Sequence, residues 1–457
     1  MNLTVGNIPR KVIVYTIPVI LTALVQLLFN AADLVVVGQF CGSASVAAVG
    51  STTSFTHLFI ELFLGFATGV GASAARAIGA KDDDRLSKVV HTSIPLALTS
   101  GTVMAVAGIL LSKPGLKLLN TPADILDLAT SYIQIYFAGI PAMLVYNFGA
   151  AVINANGDTQ KPLRYLTISG IANIVMNVIF VVAFRLDVVG VALATTISQC
   201  ISAGLVVLNL MKRTDASRLD LRRLCFDGGA LRRIVAVGLP TGLQNSLYPI
   251  ANMTIQSYIN ALGSLAVAGC SAATSVGGFV GAFVSNFYTT SLNFTGQNYG
   301  AKKVKRIYSQ ARYCLLFAVI TGAVVSALAI LFARPLLGIY LTDSPAAIEE
   351  GLKKVYVMFP FYAVTAVTGV LTGVLRGIGI SVPPMVISIF SIFGVRMLWL
   401  FIMIGILGFN NLYVIQASFS VSWTIQALLV AVTYFYYKKK ILVPMEKEPQ
   451  VPPETAR

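Results

Sequence analysis

The sequence predicts an all-α integral membrane protein of about twelve transmembrane helices arranged as two parallel six-helix repeats, and three observations carry that prediction. The chain is 56% hydrophobic and only 11% charged, with a mean hydropathy of +0.80, whereas a soluble domain averages about 25% charged residues. Apolar runs of the ~20 residues needed to cross a ~30 Å hydrocarbon core recur along the whole length. Several punctuating residues also reappear after a constant interval, so the second half repeats the first.

Reading between charged or Gly/Pro-marked breaks places the first six spans at 12–37, 46–75, 89–112, 128–153, 163–184 and 188–211. The second six fall at 234–260, 265–296, 313–333, 355–375, 383–407 and 412–437. Arg10 and Lys11 before the first apolar run resemble the start of a secretory signal. The run is too long for one and lacks a small-residue cleavage site, so it is read as a retained first span. The expected organisation is an N-terminal lobe at 1–211, a linker at 212–233 rich in Arg and Asp, a C-terminal lobe at 234–437 and a tail at 438–457.

The formal charge of +15 does not point to nucleic acid, because its distribution explains it. With both termini inside, 26 of the 33 Lys and Arg fall in cytoplasmic segments, 6 fall in outer ones, and Arg396 lies within span 11. That asymmetry is the positive-inside rule and sets the orientation, with the basic surface facing anionic lipid. The five cysteines, at 41, 200, 225, 270 and 314, stand singly, with no CxxC and no neighbouring His, so they read as packing residues.

The repeat is specific. Pro18 recurs as Pro240, Gly79-Ala80-Lys81 as Gly300-Ala301-Lys302, Pro141 as Pro360, and Gly157 with Pro162 as Gly379 with Pro384, at intervals of 219 to 222 residues. Six spans per half is an even number, so both halves enter the membrane in the same direction. Parallel repeats of this kind are a transporter architecture, with the substrate between halves that rock against each other.

Pro18, Gln26, Asp33 and Gly38 in span 1, Val46-Ala47-Ala48-Val49-Gly50 opening span 2, Gly79-Ala80-Lys81-Asp82 after it, and Gly157-Asp158-Thr159-Gln160-Lys161-Pro162 resemble the multidrug and toxic compound extrusion (MATE) family. The resemblance covers about residues 8 to 437. It implies a V-shaped antiporter that exchanges cytoplasmic organic cations or other amphiphiles for external protons or sodium ions.

The residues carry a related reading of their own. Of the 18 acidic residues the spans contain only Asp33 and Glu61, and an ionisable group at the bilayer centre costs about 2.5–3.5 kcal/mol, so it marks function by default. The bland reading of Asp33, a helix-packing hydrogen-bond partner, has to absorb that cost. Asn173 and Asn177, at i and i+4, share one face of span 5, and Thr195 lies in span 6. Counted from the span ends at ~1.5 Å per residue, Asp33, Asn177 and Thr195 differ by about 5 Å in height. They are therefore expected to meet in the outer half of the N-terminal lobe, with Asn173 one turn deeper.

A carboxylate ringed by amide carbonyls and a hydroxyl can exchange a proton or offer a hard cation the oxygen ligands it prefers. The coupling ion is thus a proton or a sodium ion, the latter held at Asp33, Asn173 and Asn177. The set also matches the N-lobe cation site that the family resemblance implies. It departs from the family's proton-dependent archaeal members, which carry a second carboxylate in span 5 where this chain has Asn177.

Glu61 is read either as a second proton carrier or cation-attracting wall, or as the partner of His57 one turn away. Gln26, Gln256, Tyr136, Met143 and Phe287 are the candidate substrate-binding set, since flat or flexible apolar groups tolerate varied ligands; ordinary helix packing is the competing account. Arg376 is expected to snorkel to the cytoplasmic face, while Arg396 sits deeper and needs a partner. Gly79-Ala80-Lys81 reads as a helix cap, since one Gly and one Lys do not make a phosphate cradle.

Three function classes compete. The isolated Asp33 cluster favours a secondary active efflux transporter. A lipid-linked oligosaccharide flippase shares the architecture but needs a strongly basic cavity for its diphosphate. A membrane enzyme needs a catalytic set that the spans lack. The expected partners are small-molecule substrates and the bilayer, with no nucleic acid and no cofactor. The expected state is a monomer in the cell membrane with both termini cytoplasmic.

Overall fold

The computed structural model describes residues 1–118, 121–342 and 344–447, with the side chains of residues 43, 51, 53–55, 57 and 58 outside that description. The first half consists of α1 (Ile8–Phe40), α2 (Ser43–Ala80), α3 (Asp83–Leu118), α4 (Ala123–Ala155), α5 (Gln160–Val178) and α6 (Asp187–Met211). A π-helical turn, Ile179–Ala183, extends α5. The second half opens with α7 (Gly228–Asn260), followed by α8 (Ser264–Ser285), α9 (Phe287–Gly300), α10 (Val304–Leu331) and the short α11 (Ala333–Gly338). It closes with α12 (Pro345–Met358), α13 (Tyr362–Gly377), α14 (Val382–Ile389), α15 (Arg396–Leu400), α16 (Leu412–Tyr437) and α17 (Val443–Lys447). Grouped as continuous crossings, these give twelve spans.

Three second-half spans are interrupted. Span 8 breaks at Asn286 between α8 and α9, span 10 breaks at a 3-10 turn, Phe359–Phe361, and span 11 alternates α with π segments. Pro360 lies inside the 3-10 turn, where its missing N–H cannot serve the ladder. Among the described residues, eleven helical segments are long and apolar enough to cross a bilayer. The exception is α7, which has the length at 33 residues, but Gln244, Asn245, Asn252 and Gln256 dilute its hydropathy.

Two of the expected segments contain helix. The segment expected as a linker at 212–233 is already helical from Gly228, where Asp227 accepts from the Ala230 amide as N-cap. The segment expected as a tail at 438–457 continues from α16 through a π turn, Lys438–Leu442, into α17; residues 448–457 lie outside the described residues.

The repeat is written into the backbone. Lys81 and Lys302 both adopt left-handed φ, at 56° and 55°, and so do Gly42 and Gly263, and Gly157 and Gly379. At the end of α2 the Lys81 amide bonds to the Ala77 and Ile78 carbonyls, a left-handed C-cap that the second half copies at Lys302.

Each half packs its own apolar core, but the first helix of each half leans across to the other. Val12, Tyr15, Val19 and Ile20 of α1 bury against α8, α9, α10 and α13, while Ala230 and Ile234 of α7 join the core built by α2 to α4. Glycine makes the crossing possible. A Cβ at Gly65 would lie 2.1 Å from the Gly242 nitrogen, and one at Gly242 only 2.0 Å from the Leu62 carbonyl oxygen. Further along, a Cβ at Gly79 would meet the Gln297 carbonyl at 1.9 Å, and one at Gly300 the Arg76 carbonyl at 2.1 Å. No side chain fits at these distances, so the α2–α7 and α2–α9 backbones close directly on each other.

These contacts all sit in the half of the molecule nearest the termini, so the two lobes form a V joined there and divergent at the far side. Residues 1–7 seal the joint. The Met1 ammonium donates to the Asn156 and Gly157 carbonyls of the first half, and the Leu3 amide donates to Gln297 Oε1 of the second. Outward-facing Leu, Ile, Val and Phe side chains, such as Leu110, Leu331 and Phe401, stay exposed around the perimeter, as a hydrocarbon surround requires.

Candidate functional site

Asp33 sits near the far end of α1 and is the centre of a four-residue polar cluster. Its Oδ1 accepts from Asn177 Nδ2 at 2.5 Å, and its Oδ2 from Thr195 Oγ1 at 3.4 Å. Asn177 Nδ2 also donates to Asn173 Oδ1 at 3.3 Å, and Asn173 Nδ2 to Thr195 Oγ1 at 3.4 Å. Helix geometry explains the grouping: Asn173 and Asn177 are one turn apart on α5, and α6 returns beside it after a turn at 184–186. Asn173 and Asn177 are buried, so the cluster is polar chemistry held inside an apolar lobe. Asn177 Oδ1 is buried without a hydrogen-bond partner, which leaves one carbonyl oxygen free to accept.

Among the described residues no three of His, Cys, Asp and Glu come together. A cation at Asp33 would therefore be held by one carboxylate and neutral oxygens from Asn173, Asn177 and Thr195. That donor set suits a small, hard, singly charged ion or a proton better than a divalent metal.

A cavity of about 280 Å³ in the first lobe opens onto this cluster and is lined by Gln26, Asp33, Glu61, Tyr136, Met143 and Asn173, with Thr195 beside them. All seven are brought together here from five helices, α1, α2, α4, α5 and α6. Asn177 supports Asp33 from behind.

Two members of the candidate substrate set do not share this placement. Phe287 is buried in the second lobe's core against α1 and α10, because the break at Asn286 turns it inward. Gln256 is exposed and donates to Asn260 Oδ1 at 2.9 Å, one turn further along α7. Neither lines the cavities described here.

Glu61 has a partner that sequence reading did not name: Asn245 Nδ2 of α7 donates to Glu61 Oε2 at 3.2 Å, bonding one lobe to the other. The alternative partner, His57, has its side chain outside the described residues. Glu61 and Asn245 both line a second cavity, of about 290 Å³, at the junction of the lobes. A third, of about 390 Å³, lies in the second lobe and shares Thr68, Asn245 and Tyr288 with the second.

The expectation that Arg376 snorkels to the membrane face is corrected. It is 2% exposed, lines the third cavity, and donates to Tyr288 Oη at 2.8 Å and Gln244 Oε1 at 2.7 Å. Helix α13 ends one residue later at Gly377, but its side chain is turned back into the lobe by these two neutral acceptors. Arg396 finds Ser422 Oγ at 3.2–3.3 Å, Asn252 Oδ1 at 3.4 Å, and the Phe419 ring with its centroid 4.2 Å away. Its partners are polar and aromatic, a cation–π pair in place of an ion pair.

The model of the family described as MatE matches residues 18–179 and 240–402, one copy per half. The probable multidrug resistance protein YoeA of Bacillus subtilis is 25% identical over 444 residues, 94% of this chain and 94% of that protein. The probable multidrug resistance protein YpnP of the same organism is 25% identical over 397 residues, 86% of this chain and 88% of its own length. Among solved structures, an outward-facing multidrug resistance MATE family transporter of the MOP superfamily superposes with a TM-score of 0.88 at 22% identity, covering 97% of this chain and 98% of that one. That likeness is one of fold.

Proposed function

The chain belongs to the MatE family, and from that premise we propose that it is a secondary active antiporter that exports small amphiphilic organic compounds, often cations, in exchange for protons or sodium ions. Family members are transporters and not enzymes, and no cofactor is needed. The observation that carries the ion-coupled reading is the Asp33, Asn173, Asn177 and Thr195 cluster opening onto the cavity that also contains Glu61. Two multidrug resistance relatives spanning nearly the whole chain support export over the flippase alternative.

In this reading residues 1–211 and 234–437 act as the moving lobes, 212–233 as the linker and 438–457 as the terminal segment, in a monomer of the cell membrane with both termini cytoplasmic. The V closed on the terminus side is then the outward-facing state. An ion entering from outside neutralises Asp33, and substrate leaving the shared cavity frees the lobes to rock. Gln26, Tyr136 and Met143 provide the adaptable wall for the organic body, with binding dominated by the cavity's apolar surface.

The experiment is transport in proteoliposomes with the proton and sodium gradients imposed separately. Uphill substrate movement under one gradient and its absence without either supports the proposal. Movement that ignores both gradients would overturn it.

A further inference from the structure

The two lobes present opposite charge to the inside. Among the described residues, the first-lobe cavity is lined by Asp33 and Glu61 and by no Lys or Arg, whereas the second-lobe cavity is lined by Arg376 and by no Asp or Glu. The two are bridged by the junction cavity, where Glu61 meets Asn245. Gln244, the residue next to Asn245, accepts from Arg376. A molecule lying across the junction therefore meets a carboxylate on one side and a guanidinium on the other.

Arg376 is held without being neutralised. A guanidinium keeps its charge at any working pH and has five N–H donors. Its two hydrogen-bond partners, Tyr288 and Gln244, are neutral, and its Nε is buried with no acceptor. Among the described residues no carboxylate pairs with it. A buried cation left in that state is costly unless an anion arrives. The usual structural explanation, an ion pair pinning two helices, is therefore missing here.

The same helix face supplies further donors. Thr365, Thr368, Thr372 and Arg376 recur at i, i+3, i+7 and i+11 of α13, a single stripe, and all four line the cavity. Thr368 Oγ1 is likewise buried without a partner. Tyr362 begins the same stripe, and Tyr248, Tyr288 and Trp423 from other helices complete the lining, with the Tyr362 and Trp423 rings 5.5 Å apart. A volume of about 390 Å³ lies in the range that encloses a drug-sized group.

From this geometry we infer that the second-lobe cavity is a binding subsite for the anionic oxygens, carboxylate or phosphate, of an aromatic amphiphile, seated on Arg376 and the Thr368–Thr372 hydroxyls. The subsite extends the substrate range to zwitterions and organic anions, and it rests on the export reading above for the route by which the ligand leaves. A zwitterion would place its cationic end toward Glu61 and its anionic end on Arg376. Bidentate contact between guanidinium and an oxyanion supplies both strength and orientation.

The test uses one rhodamine scaffold in two forms, the cationic ethyl ester and the zwitterionic free acid, with binding to the purified full-length protein followed by fluorescence anisotropy. Arg376→Gln should weaken the free acid by about tenfold or more, the loss expected for one charge-assisted hydrogen bond, and leave the ester nearly unchanged. Arg376→Lys should restore only part of the preference, since it keeps the charge and loses the bidentate fork, and Thr368→Val should lower it modestly. Thr368→Val also serves if Arg376→Gln is not monodisperse.

Equal weakening of both dyes by Arg376→Gln, an unchanged ratio, or failure of the wild type to bind the free acid would overturn the subsite. A failure of the export reading looks different: Arg376-dependent binding of the free acid would persist while neither dye moved under an ion gradient in proteoliposomes.

Discussion

Replacing Asp33 by Asn removes one negative charge and leaves every heavy atom in place. In the wild type the carboxylate accepts from Asn177 at 2.5 Å and from Thr195 at 3.4 Å. The new amide still accepts from Asn177 through its oxygen, and its nitrogen donates to Thr195 Oγ1, so no buried donor is stranded. Hydrogen bonds to a charged group contribute ~1.5–3 kcal/mol, while an acid inside the membrane costs ~2.5–3.5 kcal/mol. These terms nearly cancel, and stability should stay within about 1 kcal/mol of wild type.

Coupling has no such compensation. An ion driven through 100 mV supplies ~2.3 kcal/mol, enough to sustain a roughly 50-fold substrate ratio. The Asp33→Asn protein should fall to a ratio near unity under the same imposed gradient, while the purified protein still binds substrate with near-wild-type affinity. The assay is substrate accumulation in proteoliposomes at matched reconstitution, with binding measured in parallel. Wild-type accumulation by a folded Asp33→Asn protein would refute the mechanism and move attention to Glu61.

Asn177→Ala deletes the short bond to Asp33 and the unpartnered Oδ1 but keeps the charge. Ion affinity, read as the ion concentration that displaces bound substrate, should weaken by about tenfold with coupling retained. Gly242→Val places a side chain where even a Cβ lies 2.0 Å from the Leu62 carbonyl. Opening the closed seam to accommodate it costs about 1–3 kcal/mol, a 5–150-fold shift in the balance between states. Spin labels at Cys41 and at Ala261→Cys, with the other cysteines removed, should then report a shorter far-side distance, and an unchanged distance would count against seam control. An impermeant maleimide on intact cells should label the half-exposed Cys41 directly, and the exposed Cys225 only after the membrane is breached; the reverse order would invert the orientation.

The twelve spans and their two-fold repetition were legible because both are one-dimensional signals: apolar length, and residues such as Pro18 and Pro240 recurring at a fixed interval. The Asp33 cluster was legible for a related reason, since i and i+4 spacing fixes Asn173 and Asn177 on one face and depth can be counted along a straight helix. What sequence reading missed depends on how helices cross. The Glu61–Asn245 bond joins residues 184 positions apart, through a crossing that glycines such as Gly65 and Gly242 permit.

The break at Asn286 turns Phe287 into the core, and no periodicity announced it or the break at Phe359–Phe361. Arg376 was misread because its place at a helix end suggests snorkelling. The threonine stripe at 365, 368 and 372 that shares its face was a visible signal of a polar-lined cavity. The seven N-terminal residues likewise gave no sign that Leu3 is fully buried between the lobes.

The central claim is that substrate and ion exchange through one alternating site, and substrate-driven ion counterflow tests it most directly. Proteoliposomes are loaded with substrate at equal pH and equal sodium inside and out, and the substrate is then allowed to run down its own gradient. The account predicts that protons or sodium ions, followed by an entrapped pH dye or a sodium tracer, move in the opposite direction, and that Asp33→Asn abolishes this movement. Substrate efflux through the wild-type protein with neither ion moving against it would contradict the account.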